Sequence, residues 1–126
     1  MKFNVLIVDD SIVRGTTSKE IVQMAKDAGA NKVFFTSAAP PVRYPHVYGI
    51  NMPNRDELIA HDRTVSEIAD HLEIDNLVYQ SVDSLRKSII SDSPIKDLEM
   101  SCFTGSYVTG TVNEEYLNWV ENEYKS

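Results

Sequence analysis

Val5-Leu6-Ile7-Val8-Asp9-Asp10-Ser11-Ile12-Val13-Arg14-Gly15-Thr16-Thr17 is the run that decides the architecture of this chain. Four branched apolar residues, Val5 to Val8, predict a short buried strand, and two adjacent carboxylates, Asp9 and Asp10, stand where it ends. A small, hydroxyl-bearing loop follows, and then a helix begins. In open α/β sheets, ligands bind outside the carboxyl ends of the strands. The free N–H groups of a helix N-terminus, joined by threonine hydroxyls, form an anion site. Carboxylates beside it suit a divalent cation or sugar hydroxyls rather than the anion itself. The order therefore points to a sugar phosphate, with magnesium bridging the remaining charge.

Outward from this run, residues 3 to 9 read as the first strand. Apolar residues on both of its faces predict cover on both sides, as in a parallel sheet. A helix is predicted from about Thr17 to Ala28, where Ile21, Val22, Met24, Ala25 and Ala28 recur at helical spacing and Gly29 is placed to stop it. Lys32 to Ser37 reads as a second strand, which completes a right-handed βαβ crossover. Residues 38 to 55 carry Pro40, Pro41, Pro45 and Pro53 among Val42, Tyr44, Val47, Tyr48 and Ile50, which need burial. That composition predicts a long ordered loop rather than a linker. Two helical pieces follow near 56 to 61 and 64 to 72, then a third strand from Leu77 to Gln80. Residues 82 to 90 read as a helix with Val82, Leu85 and Ile89 inward. The stretch 91 to 101 is irregular, and 113 to 124 suits a terminal helix with Leu117, Val120 and Tyr124 on one face. The expected fold is α/β, a parallel-sheet, Rossmann-like core with C-terminal helices, forming a single domain over residues 1 to 126.

With 126 residues the chain can bury about two-thirds of its unfolded surface. Apolar content of 42% and charged content of 25% are ordinary for a globular protein. A net charge of −7 disfavours nucleic acid as a partner and requires that a phosphate be held by local dipoles and metal against the overall field. No apolar run near 18 residues and no signal-peptide pattern occur, so neither a membrane span nor export is expected. The single cysteine, Cys102, cannot form an internal disulfide and fits a cytoplasmic location.

The segment Val-Asp-Asp-Ser-Ile-Val-Arg-Gly-Thr-Thr-Ser, 8 to 18, resembles the 5-phosphoribosyl pyrophosphate (PRPP) motif of type I phosphoribosyltransferases, and most closely that of the glutamine PRPP amidotransferases. Ser-Ala-Ala-Pro-Pro-Val-Arg-Tyr-Pro-His-Val-Tyr-Gly-Ile (37 to 50), Asp-Glu-Leu-Ile-Ala (56 to 60) and Cys-Phe-Thr-Gly-Ser-Tyr-Val-Thr-Gly (102 to 110) extend the likeness over nearly the whole chain. It corresponds to the C-terminal part of a longer enzyme. The resemblance implies a phosphoribosyltransferase-type core, incomplete on its N-terminal side, in which ammonia from glutamine displaces pyrophosphate from PRPP in the first committed step of purine synthesis. Asp9 and Asp10 would contact ribose and Mg2+, and Ser11, Ile12, Val13, Arg14, Gly15, Thr16 and Thr17 would hold the 5′-phosphate of PRPP or of a purine nucleotide. No residue here is assigned a catalytic role. The family's glutaminase nucleophile is an N-terminal cysteine, whereas this chain begins Met1-Lys2, so the glutaminase domain is expected to be absent and the isolated chain inactive. A lone cysteine also cannot carry the iron–sulfur cluster that some members hold. An open edge left by missing upstream strands would favour a homo-oligomer.

One departure from the wider pattern is informative. Many base-using relatives carry an acidic residue three places after the acidic pair; here the positions that follow the pair include Val13, Arg14 and Gly15. Val13 cannot handle the protons of an incoming purine. Ammonia has a free lone pair and needs no such base, so the substitution favours an ammonia-using enzyme and leaves the rate to positioning and charge stabilisation.

Two alternatives stand beside this reading. The chain could be a non-catalytic module that binds PRPP or nucleotide. It could also be a response-regulator receiver domain, since those share its length, acidity and paired acids, and Asn51-Met52-Pro53-Asn54 resembles one of their loops. A receiver needs an aspartate where Gly49 stands and a lysine at the end of a late strand, whereas Lys96 lies in irregular sequence. His46, His61 and His71 lack metal-ligand spacing, and Cys102 has no basic neighbour to activate it. Arg43 and Tyr44 are candidates for nucleotide or domain contact, and Glu114, Glu115, Glu121 and Glu123 read as a solvated helix face.

Overall fold

The computed structural model describes residues 2–49 and 54–125, without the side chains of Tyr124 and Lys125. Strands β1 (Phe3–Asp9), β2 (Ala30–Ser37) and β3 (Asn76–Tyr79) form one parallel sheet in the order β1-β2-β3. Helix α1 (Thr16–Asp27) links β1 to β2, and α2 (Val65–Leu72) leads into β3. Strand alternation sends Val33, Phe35 and Leu77 to one face, where they meet Val22 of α1 and Ile68 and Leu72 of α2. Each such side chain contributes about 1.5–3 kcal/mol when fully buried.

The expectation that β1 is buried on both sides is not met. Leu6 is 63% exposed and Val8 70%, and Val78 across the sheet is 55% exposed. The register explains the grouping: Leu6 pairs with Phe34, Val8 with Thr36, and Thr36 with Val78. These residues point away from the face on which both helices pack. β1 is also an edge strand, not a central one.

Element boundaries follow local chemistry. Helix α1 stops where the Ala28 N–H returns to Met24 O at 3.0 Å and Gly29 turns left-handed at φ +104°. Thr64 caps α2 by accepting from Glu67 N at 3.2 Å. Ser81 does the same for α3 (Val82–Ile90) through Ser84 N at 3.0 Å. The expected inward face of α3 is only partly realised: Val82 and Leu85 are half-buried and Ile89 is exposed.

The helix expected over 56 to 61 is a single 3-10 turn, Arg55–Glu57. Beyond it Leu58, Ile59 and Ala60 are fully buried, and Ile59 N–H leaves the helical pattern to donate to Val13 O at 3.0 Å. A short helix, α4 (Ser101–Thr104), opens at the end of the stretch expected to be irregular. Helix α5 (Glu114–Lys125) buries Leu117 and half-buries Val120, while the Tyr124 side chain lies outside the described residues.

The proline-rich loop is ordered by the C-terminal segment. Arg43 and Tyr44 N–H groups donate to Cys102 O at 2.9 and 3.0 Å, and Tyr107 Oη donates to Pro45 O at 2.7 Å. Burial pushes the Tyr107 phenol up to about 12. Val42 is buried and Tyr44, Val47 and Tyr48 are half-buried; Ile50 lies outside the described residues. The acidic face expected on α5 is not simply solvated. Arg55 donates to Glu121 Oε1 at 2.8 Å and to Asn118 Oδ1 at 2.5 Å, and also pairs with Glu114.

Candidate phosphate-binding site

The loop between β1 and α1 is tied down at both ends. Ala38 N–H donates to Asp9 O and Ala39 N–H to Asp10 O, each at 2.9 Å, so the sheet ladder continues past the end of β1. Asp9 folds its carboxylate back on its own loop, with Oδ1 accepting from Asp10 N at 2.8 Å. Asp10 is exposed, and its Oδ1 accepts from Ser11 Oγ at 3.2 Å. Ile12 turns inward and is 1% exposed, which anchors the middle of the loop in the core. Val13 is half-buried and Arg14 exposed.

Gly15 makes the final turn. Its φ of +84° lies in the left-handed region, and a Cβ there would stand 2.5 Å from Ile59 Cδ1. Gly15 O accepts the first helical bond, from Lys19 N at 2.9 Å, and no side chain caps α1. The N–H groups of Thr16, Thr17 and Ser18 therefore face the loop mouth at the positive end of the helix dipole. Thr16 and Thr17 are exposed beside them, whereas Ser18 is buried. Residues 9 to 17 thus form one continuous surface at the carboxyl end of β1: acid pair, anchored loop, open helix N-terminus.

Among the described residues no cluster of three or more His, Cys, Asp or Glu could hold a metal ion. Asp9 and Asp10 alone fit a hydrated magnesium that takes its other ligands from water and from ligand oxygens, and do not amount to an all-protein cage. The site has a support that sequence reading missed. Ile59 comes from a loop far along the chain, and nothing in local spacing signals that its N–H and side chain reach Val13 and Gly15.

The other candidates resolve into structural roles. Arg43 Nη1 donates to Ala60 O at 2.6 Å and to Arg63 O at 2.8 Å, and Tyr44 packs beneath Gly105. Burial, with Glu99 nearby, pushes the Cys102 thiol up, away from reactivity. His46 pairs with Glu99 at 3.1 Å and His61 with Asp62 at 3.2 Å. Burial works to raise the Glu99 carboxyl, but the hydroxyl and N–H of Ser101 and the His46 ring outweigh it and hold it below its usual range. His71 is exposed near the end of α2. A cavity of about 660 Å³ is lined by Arg43, Tyr44, Arg55, His61, Arg63 and Thr64, among others.

The receiver alternative fails on topology. A receiver sheet runs in the order 2-1-3-4-5, with its first strand between the second and third. Here β2 lies between β1 and β3. Lys96 falls in irregular chain between α3 and α4, and Gly49 stands at the acceptor position; Asn51, Met52 and Pro53 lie outside the described residues.

No protein-family model matches the chain. It is 53% identical over 121 residues to an amidophosphoribosyltransferase of Haemophilus influenzae, covering 95% of this chain and 24% of that protein. Its fold matches a solved structure described as the allosteric regulatory enzyme of purine biosynthesis, with a TM-score of 0.78 and 39% identity over 94% of this chain and 26% of that one. It also matches glutamine PRPP amidotransferase of B. subtilis in complex with ADP and GMP, with a TM-score of 0.74 and 41% identity over 83% of this chain and 24% of that one. The chain spans about a quarter of the length of these relatives. With half its residues identical across nearly its whole length and the same parallel-sheet core, the chain is similar to the C-terminal part of amidophosphoribosyltransferases.

Proposed function

We propose that residues 9 to 17 bind the ribose 5-phosphate portion of PRPP and of purine nucleotides, as the PRPP-binding part of an amidophosphoribosyltransferase. The observation that carries this reading is the uncapped N-terminus of α1 beside the acid pair at the carboxyl end of β1. The N–H groups of the first turn of α1 and the hydroxyls of Thr16 and Thr17 take the 5′-phosphate. Asp9 and Asp10 receive ribose hydroxyls and the water shell of magnesium. Magnesium, when bound, shields the charge of the pyrophosphate. In the whole enzyme, ammonia released from glutamine attacks C1 of the ribose, the C1–O bond to pyrophosphate breaks, and 5-phosphoribosylamine forms. The chain's own part is to hold the ribose so that C1 is presented to the nucleophile. Val13, where relatives that use a base carry an acid, suits a nucleophile that arrives with a free lone pair.

Titration with ribose 5-phosphate in the presence of magnesium, followed by amide NMR, tests this. The amides of Val13 to Thr17 are expected to move first, and Asp9→Asn with Asp10→Asn to remove the magnesium-dependent part of the response. Shifts confined to other loops would defeat the assignment.

The same reading includes self-association. Leu6, Val8 and Val78 form an exposed apolar face next to the open edge of β1, and parallel sheets are covered on both faces. A second copy of the chain is the proposed cover, in a two-fold arrangement. Light scattering at micromolar concentration is expected to give about twice 14.2 kDa, and a monomer mass would rule the dimer out.

A further inference from the structure

We propose that Arg43 and Arg63 are positioning residues for the phosphate-binding loop and act on it through Ile59 and Ala60. The inference rests on the reading of residues 9 to 17 just given. Its ground is a chain of short contacts. Ile59 holds the loop from behind in two ways: its N–H donates to Val13 O at 3.0 Å, and its side chain fills the space where a Cβ on Gly15 would stand. Ile59 is 2% exposed and Ala60 0%, so their carbonyls have no water to fall back on.

Those carbonyls are held by guanidiniums. Arg63 Nη1 donates to Ile59 O at 3.0 Å, and Arg43 Nη1 donates to Ala60 O at 2.6 Å and to Arg63 O at 2.8 Å. The two arginines thus brace one arch of backbone from both sides, and the far side of that arch is the wall of the phosphate loop. Both guanidiniums spend Nη1 on backbone oxygens. A planar guanidinium carries its donors in a fixed fork, so it sets the arch more rigidly than a flexible ammonium could.

The arch also decides what the loop can be. Gly15 adopts φ +84° in contact with Ile59 Cδ1, and the next residues present their N–H groups to the ligand. A shift of the arch re-aims those N–H groups, and anion binding at a helix N-terminus depends on their common direction.

The test compares the chain with three variants, reading fold by circular dichroism, the amide shifts of Val13, Gly15, Thr16 and Thr17 without ligand, and affinity for ribose 5-phosphate. Arg43→Met keeps the aliphatic stem and removes both donors. It is expected to shift the Val13 and Gly15 amides, speed exchange of the Ile59 N–H, and weaken ribose 5-phosphate about five- to tenfold, the size of effect that follows from leaving a buried carbonyl without a donor. Ile74→Ala, at the amino ends of the strands, empties a buried core position and is expected to destabilise the fold while leaving the loop amides and the affinity unchanged. If Arg43→Met does not fold, Arg63→Met decides: it removes the donor to Ile59 O alone and is expected to shift the Val13 and Gly15 amides and to weaken binding about twofold, and unmoved loop amides would overturn the proposal. Unmoved loop amides in folded Arg43→Met, or equal effects from Ile74→Ala, would overturn the proposal. Failure of the unaltered chain to bind ribose 5-phosphate would instead sink the reading of the loop itself, and the ligand-free amide shifts would still decide whether the arginines position it.

Discussion

Replacing Gly15 by alanine is expected to remove about 2–5 kcal/mol of stability and most of the phosphate affinity. Two independent terms add. A residue with a Cβ in the left-handed region costs about 1–2 kcal/mol. The new methyl would also lie 2.5 Å from Ile59 Cδ1, and forcing a group into a filled site costs about 1–3 kcal/mol. Ile59 cannot retreat freely, because its N–H is engaged with Val13 O. Urea unfolding measures the loss. The pair Gly15→Ala with Ile59→Ala separates the terms, since the second change removes the clash but not the backbone strain. The double variant is expected to lose less than the two single losses combined. A Gly15→Ala midpoint equal to that of the unaltered chain would show that the left-handed turn is not what shapes the loop.

The second large effect belongs to Arg55. Its side chain is 12% exposed and Glu121 15%, so the pair is largely shielded, whereas Glu114 is 75% exposed and adds little. The hydrogen bond to Glu121 leads the forces that raise the affinity of Arg55 for its proton, against the opposing pull of burial. Arg55→Met leaves Glu121 without the guanidinium and is expected to cost about 2–3 kcal/mol, in line with the loss of hydrogen bonds to charged groups. The loss should fall on one element, because Arg55 grips α5 at Glu114, Asn118 and Glu121. Amide exchange over residues 114 to 125 is expected to rise well before the sheet opens. Arg55→Lys should recover only part of the protection. Protection of α5 unchanged in Arg55→Met would mean that Leu117 alone secures the helix.

Much of this was legible in the residues themselves. The run from Val5 to Thr17 carries its own strand end, acid pair and helix start, so β1, α1 and the loop between them follow from local pattern. The helices expected near 64 to 72 and over 82 to 90 form as α2 and α3, and the caps that Thr64 and Ser81 supply are short-range contacts. Tertiary choices were not legible. Leu6 and Val8 read as buried because a run of branched apolar residues does not say which strand is central or which face the helices take. The segment at 56 to 61, expected to be helical, instead spends its Ile59 N–H on a carbonyl distant in sequence. Glu121 read as solvated because its partner, Arg55, lies on another element. Among the candidate site residues, Asp9 to Thr17 could be named from sequence, but the brace behind them, Arg43 with Ile59 and Arg63, depends on contacts no local pattern encodes.

The bond from Ile59 to Val13 also sets an order of events in time. Residues 3 to 37 form a local strand–helix–strand unit whose contacts need little loop closure, and such contacts form early. The lock on the loop joins residue 13 to residue 59, and closing a segment of that length costs about 3 kcal/mol of chain entropy. During synthesis, the sequence of the proposed phosphate loop therefore emerges complete but slack. It becomes rigid only after Ile59 and Arg63 have left the ribosome and the arch has closed behind it, so a nascent chain gains the geometry of the loop later than its residues.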